Sequence, residues 1–146
     1  MVRSYIFGCS PASVLRLAAL CTGALTACAR NEFGWRVAPS PISSPRATMP
    51  AVQVPDTMTA GVPDTVFIWT ESGGCTREGP TDVRSDSVVV TIRLFDSLLV
   101  RAPSNYACTS DQRFGRRHVE IRFVHSGLGV VRVVGTDTTE HRVQVK

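Results

Sequence analysis

Beyond residue 51 the chain alternates apolar and polar side chains with the period of a β-strand. Val88, Val90, Ile92 and Leu94 fall on one face of such a segment, and Val89, Thr91, Arg93 and Phe95 on the other. Val119, Ile121 and Phe123 alternate with His118, Glu120 and Arg122. Val131 and Val133 flank Arg132, and Val143 and Val145 flank Gln144. Thr65 to Thr70 is β-branched or aromatic almost throughout, which predicts a strand covered on both faces. Turn formers separate these runs: Gly61-Val62-Pro63, Ser72-Gly73-Gly74, Glu78-Gly79-Pro80, Ala102-Pro103-Ser104, Ser126-Gly127 and Gly135-Thr136-Asp137. Helical spacing is nowhere sustained. About six to eight short strands in residues 51–146 predict an all-β fold, an antiparallel β-sandwich.

The stretch before this domain reads differently. Residues 29–50 hold Pro39, Pro41, Pro45 and Pro50 with Ser40, Ser43 and Ser44 among them. Proline fixes φ and removes backbone donors, so a disordered, extended spacer is predicted. At roughly 3.1 Å per residue it would reach several tens of Å. Phe33 and Trp35 at its start suit a membrane interface or, less simply, a partner-binding motif.

Arg3 and Arg16 are the only charges before Arg30. Leu17 to Ala27 is uncharged and mostly apolar; as a helix it would cover roughly 16 Å, about half a bilayer core. That is short for a membrane span and suits the apolar region of an export signal. Leu25-Thr26-Ala27-Cys28 resembles the lipobox of bacterial lipoproteins, an aliphatic residue and two small ones ahead of a cysteine. Neither Cys9 nor Cys21 fits: Leu20 is too bulky before Cys21, and no apolar run precedes Cys9. The resemblance implies cleavage after Ala27 and acylation of Cys28 with palmitate-type chains, a membrane anchor that needs no spanning helix. It divides the chain into a signal peptide at 1–27, a lipidated cysteine and flexible linker at 28–50, and a domain at 51–146. Ala29, in place of Asp, implies the outer membrane of a Gram-negative cell. The stretch before Arg16 is long for such a signal, and translation starting near Val14 or Leu15 would shorten it.

Composition narrows the function. Of 16 basic side chains all but Lys146 are arginine, and the net charge of +4 halves once Arg3 and Arg16 are removed. That balance does not predict a nucleic-acid binder. With Cys9 and Cys21 in the signal and Cys28 acylated, Cys75 and Cys108 are left, as a disulfide, as two free thiols or as a redox pair, the last disfavoured by a separation unlike CxxC. An exported protein favours the disulfide, which would stabilise by about 3.8 kcal/mol in the chain-entropy picture. The layout of Pro55 to Gly61, a strand and then Gly73-Gly74 resembles the opening of bacterial immunoglobulin-like domains. Trp69 precedes both cysteines, unlike the Cys…Trp…Cys order of such domains, so the bridge is expected to staple two loops and not the two sheets.

Chemistry is sparse. His118, His125 and His141 lack the spacing of a metal site, and neither metal nor cofactor is expected. There is no GxSxG and no P-loop, and Gly127-x-Gly129 lacks the third glycine of a dinucleotide site. Asp82, Asp86, Asp96 and Asp111 have no calcium-loop spacing. The densest charge is Arg113, Arg116 and Arg117, flanking Phe114, and these guanidinium groups are candidates to grip an anion. The expectation is a non-enzymatic, lipid-anchored envelope protein that meets an envelope protein or an anionic cell-wall polymer. The alternative is a small periplasmic hydrolase or accessory protein with a loop-built site; a third reading is a carrier or inhibitor presenting a loop to an enzyme.

Overall fold

The structure is a computed structural model that describes residues 34–102 and 104–146. The signal segment, Cys28 and Phe33 lie outside the described residues. Among the described residues nine strands form: β1 (Gly34–Pro39), β2 (Val52–Gln53), β3 (Thr57–Met58), β4 (Asp64–Gly73), β5 (Thr76–Ser85), β6 (Val89–Arg101), β7 (Gln112–Ile121), β8 (Gly127–Val134) and β9 (Thr138–Val145). The larger sheet runs β1-β6-β8-β9-β3 with β5 also on β6, and the smaller runs β2-β4-β7. Among the described residues there is no helix.

The two sheets share one core. Val90, Ile92 and Leu94 of β6 and Val131 and Val133 of β8 meet Val66 and Ile68 of β4 and Val119 and Ile121 of β7. Those of β6, β7 and β8 belong to the alternating runs of the sequence and Val66 and Ile68 to the continuous Thr65–Thr70 run, and each buried aliphatic side chain is worth about 1.5–3 kcal/mol. The expected cover on both faces of β4 is not found: Val66, Ile68 and Thr70 are buried against the other sheet, while Phe67 and Trp69 are half-buried on the outer face.

Two expectations need correction. The sheets are not purely antiparallel, because β6 pairs parallel with β8 and β3 parallel with β9. Alternation reports which face of a strand is buried and carries no information on strand direction. Nor is the whole of 28–50 a spacer. Gly34–Pro39 pairs antiparallel with the second half of β6, and Ser40 is fully buried. The chain then crosses from one sheet to the other. Ser40 N–H donates to Leu94 O (3.0 Å) on the larger sheet, while Glu71 N–H donates to Pro41 O (3.1 Å) and Ser43 N–H to Trp69 O (3.1 Å) on the smaller. The prolines fit because β1 is an edge strand with Pro39 as its last residue, where no ladder bond is interrupted.

Candidate functional site

β7 settles the fate of the arginine run. Side chains one residue apart on a strand point to opposite faces. Arg116 is exposed on the outside and Arg117 is buried between the sheets, so the two do not converge. Arg113 lies further along at the exposed end of the strand and is paired with Asp111.

Arg117 is the centre of a buried polar network. Its side chain and that of Asp96 are each 3% exposed, and they form an ion pair between β7 and β6. One guanidinium nitrogen donates to Asp96 Oδ1 and also to Ser40 Oγ (2.9 Å), and Ser40 Oγ donates to Asp96 Oδ1 (2.7 Å). The other terminal nitrogen donates to Phe95 O (3.0 Å) and Gly79 O (3.5 Å). Buried charges demand such partners, because desolvation costs several kcal/mol per ion. Ser40, Asp96 and Arg117 thus tie β1, β6 and β7 together. This arginine serves the fold and cannot reach an external anion.

The outer face of β4 and β7 is a different surface. Register sets Glu71 opposite Phe114, Trp69 opposite Arg116, Phe67 opposite His118 and Thr65 opposite Glu120. The Arg116 guanidinium lies over Phe67 (4.6 Å) and Trp69 (5.8 Å), and its Nε donates to His118 Nε2 (3.3 Å). The His118 ring meets Phe67 edge-on at 5.0 Å. Among the described residues Arg116 has no carboxylate partner. Stacking on a ring holds a guanidinium flat and leaves its N–H edge open to a carboxylate or phosphate. Trp35, the other aromatic singled out in the sequence, is stacked by Arg77 at 3.9 Å.

Cys75 and Cys108 lie at disulfide distance, with Cα atoms 5.1 Å apart. Cys75 sits in the turn between β4 and β5, and Cys108 in the loop between β6 and β7, so the pair staples two loops as expected. Gly74 beside it is forced by close approach: a Cβ there would stand 1.9 Å from Thr109 O. In the same loop Asp111 accepts hydrogen bonds from Thr109 Oγ1 and Arg113 Nε. The Thr109 hydroxyl first, and then the Arg113 guanidinium, hold this carboxyl below the usual aspartate range.

The remaining candidates stay apart. His125 is exposed after β7 and His141 is half-buried on β9. Asp82 pairs with Arg84, and Asp86 caps its own turn through Ser87 N–H. Among the described residues no three His, Cys, Asp or Glu side chains come close enough to hold a metal ion. Asp96 and Asp111 do line one cleft, which spacing in the sequence did not suggest. Comparison with protein-family models, curated proteins and solved structures finds no match for this chain.

Proposed function

We propose that the chain is a lipid-anchored envelope protein whose immunoglobulin-like β-sandwich is a non-catalytic binding module for an anionic envelope polymer. The observation that carries the binding role is Arg116, stacked on Phe67 and Trp69 with no carboxylate partner among the described residues, while Arg113 and Arg117 are each taken up by an aspartate. Trp, aromatic and Arg side chains are the commonest energetic anchors of contact surfaces. The lipobox at Leu25–Cys28 and the Cys75–Cys108 pair support an exported, oxidising location. Two sheets on one core and a segment that crosses between them support the sandwich reading.

Two measurements test this. Intact-mass analysis of the membrane fraction should find a chain that begins at an acylated Cys28; a soluble chain with residues 1–27 attached would overturn the anchoring. Retention of the full chain on lipopolysaccharide or cell-wall sacculi should fall on Arg116→Ala and in raised salt. Arg113→Ala should retain most of it. Equal retention of the Arg116 variant and the parent would overturn the role of this face.

A further inference from the structure

Where the core meets the cystine, the end of β4 and the inner face of β6 bound a cleft of about 570 Å³, a volume in the range of small-molecule sites. Gly73, Gly74 and Thr76 on one wall flank Cys75, and Thr109 to Gln112 on the other follow Cys108, so the cystine clasps both walls. β6 contributes Asp96 and Leu98 from the same face that buries Ile92 and Leu94.

Asp96 is only 2% exposed. Its Oδ1 accepts from Ser40 and Arg117, while Oδ2 is buried and accepts nothing. A buried carboxylate oxygen without a donor is costly, and its cost is relieved by any ligand that brings one. Of the acidic residues that line the cleft, Asp96 and Asp111 are each paired with an arginine, Arg117 and Arg113, and Glu71 belongs to the outer row of β4; no Lys, Arg or His lines it. The Thr109 hydroxyl and then the Arg113 guanidinium hold the Asp111 carboxyl below the usual aspartate range. Ser72, Thr76, Thr109 and Ser110 add hydroxyl oxygens that can accept. An anion would bring the unpartnered Oδ2 of Asp96 another acceptor and no donor. A sugar would find no aromatic ring to stack on, since none lines the cleft.

We propose that this cleft binds a ligand carrying a primary ammonium group on a short chain, with the ammonium donating to the free Oδ2 of Asp96. The proposal is independent of the Arg116 face, which lies on the outer side of the smaller sheet.

Calorimetry on the full chain tests it with cadaverine, with pentanediol as the uncharged analogue and glutarate as the anionic one. Cadaverine should bind once per chain, pentanediol about tenfold more weakly or worse, and glutarate not at all. Amide NMR shifts on adding cadaverine should cluster at Ser72 to Gly74, Asp96 to Leu98 and Thr109 to Gln112. Asp96→Asn should weaken cadaverine about tenfold. Because that change also touches Arg117, Ser110→Trp provides a second probe. Ser110 is exposed and lines the cleft without joining the Arg117 network, so a bulky side chain there should block binding in a folded protein. Equal affinity for cadaverine and pentanediol, shifts scattered over the surface, or unchanged cadaverine affinity in the folded Ser110→Trp variant would each overturn the proposal.

Discussion

Arg117 and Asp96 meet between the two sheets, and each is bonded to Ser40, a residue from the proline-rich stretch that precedes the main run of strands. Three distant parts of the sequence are joined in one water-excluded network. Breaking a buried pair from one side leaves an uncompensated charge. Arg117→Ala should therefore lower stability by about 3–5 kcal/mol in urea denaturation. The double change Arg117→Met with Asp96→Leu should recover much of that loss, as apolar replacement of both partners removes the stranded charge. Arg116→Ala, one residue away, should cost less than about 1 kcal/mol.

Ser40→Ala removes a donor to Asp96 and an acceptor for Arg117 without opening a large cavity. A loss of about 1–3 kcal/mol is expected by the same measurement. A neutral result would show that the stretch around Ser40 is not anchored to the core.

Reduction of Cys75–Cys108, or the Cys75→Ser/Cys108→Ser pair, should lower stability by roughly 3–4 kcal/mol. Thermal melts of the parent with and without reductant would separate, whereas those of the double variant would coincide.

Gly74→Ala places a methyl group where the Thr109 backbone already stands, and neither chain can give way without moving the cystine turn. The expected loss is at least about 1–3 kcal/mol, the usual cost of forcing extra atoms into packed structure. The same substitution at Gly61, with open space around it, tests backbone strain alone, since its φ is 76°.

Asp111 supplies a pH signature. Its folded-state carboxyl titrates lower than an unfolded aspartate, near 3.9, because Thr109 and Arg113 stabilise the ionised form. The resulting stabilisation is present above the unfolded value and is lost as pH falls through the lower folded one. An NMR titration of the Asp111 carboxyl should show a midpoint below about 3.9 that rises on Thr109→Val or Arg113→Gln. An unmoved midpoint in both variants would contradict the hydrogen bonds.

The strands of the core were legible because each strand buries one face, and Val90, Ile92, Leu94, Val119, Ile121, Val131, Val133, Val143 and Val145 all lie inside. The place of the two cysteines in loops followed from the turn residues around them. Arg117 was also within reach: stepping back from Phe123, Ile121 and Val119 by twos places it on the inner face, opposite in sense to Arg116 and His118. Composition argued otherwise, since an arginine beside other arginines looks like a solvated surface. The edge strand β1 was hidden for a similar reason. It is short, exposed on most of its residues and ends in a proline, and nothing in its own sequence reveals the β6 edge that receives it. The Asp96 cleft was not readable at all, because its walls come from β4, β6 and the loop after Cys108, which only the folded chain brings together.

The passage of residues 34–53 across both sheets dictates where this protein can be cut. A fragment that begins at Ala51 would leave the distal half of β6 paired with β5 alone and bare a row of unsatisfied amide and carbonyl groups on the edge that β1 covers. Such a fragment should self-associate through that exposed edge, so recombinant work on the domain has to keep everything from Gly34 onward.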